Sequence, residues 1–491
     1  MSIFKKLASE TVVYGLSSVL GRVLNFIIMT PYLTRVFLRE EYGVVTELYA
    51  FAGFLMVMFT YRMETTFFRF GSKEDTDLEK SFSISSLSIL GTTLLFWTLL
   101  IGFSQPIASY LNYPDNNDYV IWFALIIGFD ALTAIPFARL RLESKAFKFA
   151  LIKILNVIIN ALMIIFFLEG CPLLISWGYD WVNAFYNPEN RIGYVFVANL
   201  IASGVTFLIL TPSLLKIKWK WDGALWRKMM IYAWPLLLVG LAGITNEVLD
   251  RILLMRLLPG DLLERQIKVG IYGGCYKFAV LMALFTQAFN YAAEPFFFRN
   301  ANRDDSKAIY AKVAQGFTII ACLGFLCILL YIDIAELAVG KDYREGIKVV
   351  PILLLANLCL GLYYNFSIWY KLTDNTIYGA YISIAGAVIT VVLNLLLIPW
   401  IGYMGSAWAT LACYFTMTLL SYWIGKRYYP VPYPIVKMLG YVLFALLLYQ
   451  VNLWFRTLLG AGTIQLLAAN TVLILLFLGV TIWPERRALR R

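Results

Sequence analysis

Apolar runs of about twenty residues recur along this chain with only short polar breaks between them. A bilayer core about 30 Å thick is crossed by about 20 helical residues. Inside it only helices or closed barrels satisfy their own backbone. Segments are read at 10–37, 43–66, 82–104, 118–138, 149–168, 192–213, 229–257, 269–297, 314–333, 348–370, 377–399, 405–424, 435–454 and 463–483. Spans this long exclude a barrel. The expected fold is therefore all-α and polytopic, with about 14 transmembrane helices. Composition agrees: 60% of the 491 residues are hydrophobic and 14% charged, against about 25% charged in a soluble domain.

The net charge of +11 raises nucleic acid as a partner, and the distribution of that charge removes it. With the N-terminus inside, the cytoplasmic loops and tails hold 26 of the 41 basic residues and the outside loops eight. That excess orients membrane helices. It places both termini in the cytoplasm. The chain has no histidine, and its six cysteines show no metal spacing. Met1-Ser2-Ile3-Phe4-Lys5-Lys6 leads into a long first span without a small-residue cleavage site, so no cleaved signal peptide is expected. No outside loop is large enough to hold a catalytic centre, and an enzyme is not expected.

Matching residues in the two halves point to an internal repeat. Asn25 and Arg35 recur as Asn246 and Arg256, Gly43-Tyr49-Phe51 as Gly270-Tyr276-Phe278, and Glu64-x-x-Phe-Phe-Arg69 as Glu294-x-x-Phe-Phe-Arg299. Two six-helix lobes related by pseudo-two-fold symmetry follow, plus two C-terminal helices. Transporter halves of this kind enclose a site and alternate access to it. The expected divisions are 1–213 for the first lobe, 214–228 for a basic linker, 229–428 for the second lobe, and 429–491 for the added helices and basic tail.

Charges within spans mark candidate working residues, because a charge at mid-bilayer costs roughly 2.5–3.5 kcal/mol on insertion scales. Span seven carries Asn246, Glu247, Asp250 and Arg251 on one helical stripe. Glu247 and Arg251 stand i, i+4 with the acid first, the order that favours an ion pair. That leaves Asp250 to pair with Lys277 or to bind a coupling ion. Asp130 is a second candidate ion site, or is bonded locally. Arg22 is read either as an anion ligand or as a buried partner for a carboxylate. Arg35 and Arg256 hold the outer side of the site or snorkel to headgroups, and Lys277 has less freedom to snorkel. Tyr276 and Asn290 offer an aromatic face and hydrogen bonds. Arg62, Glu64, Glu294 and Arg299 form a gate or an interfacial charge cluster. Seven basic against six acidic residues within spans lean toward an anionic substrate over a cationic drug.

The stretch Asn394-Leu395-Leu396-Leu397-Ile398-Pro399-Trp400-Ile401-Gly402-Tyr403-Met404-Gly405-Ser406-Ala407-Trp408-Ala409-Thr410 resembles a signature of the polysaccharide and O-antigen flippases. These belong to the multidrug/oligosaccharidyl-lipid/polysaccharide exporter superfamily. Ile135-Pro136-Phe137-Ala138-Arg139-Leu140-Arg141 and Glu41-Tyr42-Gly43 look like other parts of that pattern. Ser406 stands where the family often has alanine, a change read as harmless. The motif itself reads as structural: Pro399 ends a helix, and the glycines allow a tight turn into a small-residue face. The resemblance implies an inner-membrane flippase for undecaprenyl-pyrophosphate-linked oligosaccharide, serving O-antigen or capsule. It implies a cationic cavity and alternating access. Expected partners are that lipid-linked substrate and membrane lipids, then a polysaccharide polymerase and chain-length proteins, with no nucleic acid and a monomeric state. No cofactor is expected beyond a coupling Na+ or H+. A lipid II flippase or a cation-coupled multidrug exporter is the alternative.

Overall fold

The computed structural model describes residues 28–72, 77–143, 145–215, 221–301, 303–373 and 375–489. For 291, 292, 294, 295, 299 and 482–489 it describes the backbone alone. Among the described residues every regular element is helical. Twelve helices among the described residues are long and apolar enough to cross a membrane, and the chain is a multi-pass membrane protein.

In chain order the helices are α1 (Thr30–Val36), α2 (Arg39–Thr60), α3 (Met63–Gly71), α4 (Leu78–Gly102), α5 (Ser104–Tyr110), α6 (Asn117–Leu142), α7 (Ala146–Ile165), α8 (Cys171–Ser176), α9 (Arg191–Leu214), α10 (Gly223–Leu257) and α11 (Leu262–Arg299). They continue with α12 (Ser306–Leu330), α13 (Ile332–Ala335), α14 (Val350–Phe366), α15 (Ile368–Leu372), α16 (Ile377–Ile401), α17 (Tyr403–Tyr428), α18 (Ile435–Leu459) and α19 (Ile464–Leu489). Spans two to fourteen each have a helix where the sequence places one. Span one is described only at its outer end, as α1.

By packing, the chain forms two compact units: residues 1–29 with 47–248, and residues 30–46 with 249–491. The division falls within α2 and α10, whereas the sequence reading drew it at the basic stretch 214–228.

In the first unit, the second span is interrupted. Tyr61 and Arg62 take positive φ, 35° and 60°, and the chain restarts as α3. Helix α11 has no such break, so the two Glu-x-x-Phe-Phe-Arg copies sit in different settings. Helix α10 is fastened to α4 by Lys80 Nζ at 2.5 Å from Asp222, and by Trp226, whose indole donates to Ser88 Oγ at 2.9 Å.

In the second unit, the starts of α2 and α11 meet at two glycines. A Cβ on Gly43 would lie 2.1 Å from the Gln266 carbonyl oxygen, and one on Gly270 would lie 1.9 Å from that of Arg39. Each glycine thus faces the carbonyl four residues before the other. The contact is reciprocal, as a local two-fold requires, and its offset is that of the sequence repeat. Small residues there let two backbones touch.

The hairpin of α16 and α17 follows the flippase-like motif, with two corrections. Helix α16 runs through Pro399 to Ile401, and Gly402 at φ 62° stops it. A proline near a helix end removes only one N–H, whereas the left-handed glycine turns the chain. Ser406 is not a neutral replacement here: its hydroxyl donates to Asn394 Oδ1 at 2.7 Å, and both residues are fully buried. At Gly405, a Cβ would come within 2.7 Å of the Leu397 backbone. Helices α18 and α19 dock through Asn452, which donates to Asn470 Oδ1 at 2.6 Å. Asn470 in turn donates to the Leu330 carbonyl at 2.5 Å.

Candidate functional site

Asp250 and Arg251, from the charged stripe of α10, lie in a buried polar cluster of the second unit. Asp250 is 4% exposed, and both of its oxygens are engaged. Oδ2 accepts from the Tyr272 hydroxyl at 2.6 Å. Oδ1 accepts from the Arg251 backbone N–H at 2.9 Å and lies 3.4 Å from its Nη1. Asp250 thus has a partner on its own helix, Arg251, besides Tyr272. The i, i+4 rule looks along one helix, while Tyr272 comes from the next. The Arg251 guanidinium lies 4.0 Å from the centroid of the Tyr276 ring, a cation–π geometry. Lys277 follows Tyr276 on α11 and is half-buried. It makes no hydrogen bond or ion pair among the described residues. The expected Asp250–Lys277 pair is therefore not formed.

A second cluster lies in the first unit. Asp130 lies half-buried on α6, with Lys153 on α7 and Ser203 on α9. Asn199 donates to the Tyr49 hydroxyl at 2.9 Å, and Asn156 to Thr206 at 3.0 Å. Sequence reasoning took Asp130 without these neighbours. The signal was present: Asn199, Ser203 and Thr206 are spaced as one face of a helix, as are Lys153, Asn156 and Asn160.

The remaining candidates are scattered. Arg22 and Asn25 lie outside the described residues. Arg35 is exposed and donates to the Leu337 carbonyl at 2.8 Å. Arg256 is half-buried toward the end of α10, and Asn290 is half-buried on α11. Asn246 is buried and Glu247 exposed. Arg62 lies 3.9 Å from Glu64, so half of the proposed gate is an ion pair beside a helix break. The side chains of Glu294 and Arg299 lie outside the described residues.

The family described as polysaccharide biosynthesis protein matches residues 7–301, more than half the length. The chain belongs to that family. No curated sequence matches it. Among solved structures this polysaccharide biosynthesis protein is similar to the lipid II flippase MurJ in an inward closed conformation. The identity is 16%, the TM-score 0.69, and 98% of this chain and 100% of that one are covered. It is also similar to the MATE multidrug transporter DinF-BH, at 15% identity and TM-score 0.64, over 88% of this chain and 97% of that one. A MATE family transporter of the MOP superfamily in an inward-facing conformation matches at 13% identity and TM-score 0.59, over 87% and 94%. The fold is thus that of flippases and transporters.

Proposed function

We propose that this family member flips a polyprenyl-pyrophosphate-linked oligosaccharide across the bacterial inner membrane by alternating access, with both termini in the cytoplasm. The observation that carries the reading is Lys277, a half-buried cation within a membrane-length helix that has no ion pair among the described residues. Charges within membrane helices are costly, and Asp250 neutralises that of Arg251. An anionic headgroup meeting Lys277 offsets the other. Arginine and lysine suit phosphate, and the buried Tyr276 ring holds Arg251 in place. Arg22, Asn25, Arg35, Asn246, Arg256 and Asn290 are assigned to the same substrate path.

Asp130, a half-buried carboxylate within a membrane span, is the favoured site for a coupling Na+ or H+, and Glu247 is the second. The product feeds O-antigen or capsule polymerisation, so a polymerase and chain-length proteins are the proposed partners of a monomeric flippase. The second reading, a lipid II flippase or a cation-coupled drug exporter, draws on the folds shared with proteins of those descriptions.

The deciding experiment uses proteoliposomes loaded with a fluorescent polyprenyl-pyrophosphate saccharide under imposed proton or sodium gradients. Gradient-dependent flipping is expected. Efflux of cationic drugs without any flipping would overturn the proposal.

A further inference from the structure

An apolar groove of about 640 Å³ opens between α14, α17 and α18 of the second unit. Ligand pockets usually measure roughly 300–1,000 Å³. Its walls include Leu358, Leu362, Trp408, Phe415, Leu439 and Val442. Trp408, Phe415 and Leu439 are 48%, 49% and 54% exposed, so the groove is open along its length. The Thr418 hydroxyl also lines it and is already spent on the carbonyls of Cys359 and Tyr414, at 2.7 Å each. Nothing in these walls calls for a polar occupant. The three helices are membrane-length, so a hydrocarbon chain is what surrounds the opening.

One end of the groove differs. There a small recess shares Phe366 and Tyr422 with it and adds Ser421, Lys426, Tyr429 and Tyr433. The Ser421 hydroxyl is buried and has no hydrogen-bond partner. Lys426 and Arg427 are exposed in the last turn of α17, and Lys437 is exposed near the start of α18. Lys307 sits with its ammonium 4.8 Å from the Tyr429 ring centroid. Cations gathered at one end of an open apolar groove match an amphiphile with an anionic head.

We propose that this groove is a binding site for an anionic bilayer phospholipid, its acyl chain along α14, α17 and α18 and its phosphate at Lys426. The site lies apart from the Arg251–Lys277 cluster and holds a resident lipid, not the transported one.

The test is native mass spectrometry of the full-length, delipidated protein in detergent. The probes are dioleoyl phosphatidylglycerol, dioleoyl phosphatidylcholine and a polyprenyl phosphate. Phosphatidylglycerol is expected to be retained several-fold more than phosphatidylcholine. Lys426→Gln should bring the two to the same level, and Ala412→Trp, which fills the groove, should abolish retention of both. Gel filtration reports whether each variant stays folded. Should Ala412→Trp aggregate, Leu439→Trp from the open side replaces it. Equal retention of the two phospholipids, preferential retention of polyprenyl phosphate, or unchanged binding in the filled groove overturns the proposal. So does a dimer that forms as lipid leaves.

Discussion

Asp250 shows what one buried carboxylate does when its partners come from two helices. Asp250→Asn keeps an acceptor for Tyr272 but strips Arg251 of its counter-charge. Breaking a buried pair from one side costs about 3–5 kcal/mol, whereas replacing both partners by neutral groups is often close to neutral. Asp250→Asn should therefore lower the thermal unfolding midpoint in detergent, and Asp250→Asn with Arg251→Met should recover most of the loss. A single variant as stable as the parent would refute the pairing. The charges themselves were legible in the sequence, since ionisable residues inside an apolar run stand out. Their partners were not, because spacing along α10 carries no information about Tyr272 on α11. Ser406 makes the same point. Against a family pattern it looks like a small substitution, yet its hydroxyl is the donor to a buried Asn394 oxygen. Ser406→Ala leaves that oxygen unsatisfied, and a loss of about 1–3 kcal/mol is expected in the same unfolding measurement.

At the scale of elements, the glycines chosen by the repeat acquire a physical reason. Gly43 and Gly270 are where α2 and α11 touch backbone to backbone, each against the other's preceding turn. Periodicity and length were enough to place nearly every helix, because a membrane leaves few alternatives to a helix of about twenty apolar residues. They did not reveal the break at Tyr61–Arg62. No proline or glycine marks it, and positive φ at such residues is held by tertiary packing. Nor did they show that α16 outruns Pro399. The reciprocal contact yields a firm expectation. In Gly270→Ala the new methyl group meets a carbonyl oxygen, not a movable side chain, so α2 and α11 must separate. Overpacking of this kind costs about 1–3 kcal/mol or more. Gly270→Ala should lower the unfolding midpoint, and Gly43→Ala should do so equally, because the two sites are equivalent by the local two-fold. A large effect at one glycine and none at the other would contradict that equivalence.

For the molecule as a whole, membrane class, helix count and family were all readable from apolar length and a structural motif, whereas the working site was only outlined. Charges within spans named the candidates, and the structure shows what Arg251 meets: Asp250 and the Tyr276 ring. Lys277 is left without an ion pair among the described residues. That asymmetry separates stability from transport. Lys277→Met removes a half-buried charge from a membrane-length helix, so the folded protein should be as stable as the parent or more so. If Lys277 meets the pyrophosphate, the same change removes a charge-assisted contact worth about 1.5–3 kcal/mol, and flipping should fall by roughly tenfold or more. The two readouts move in opposite directions, which a purely structural lysine cannot produce. Flipping rates in proteoliposomes, set beside unfolding midpoints of the same preparations, measure both. Lys277→Arg keeps the charge and should retain part of the activity. A Lys277→Met protein that flips at the parent rate would remove this residue from the substrate path, and with it the main support for an anionic cargo.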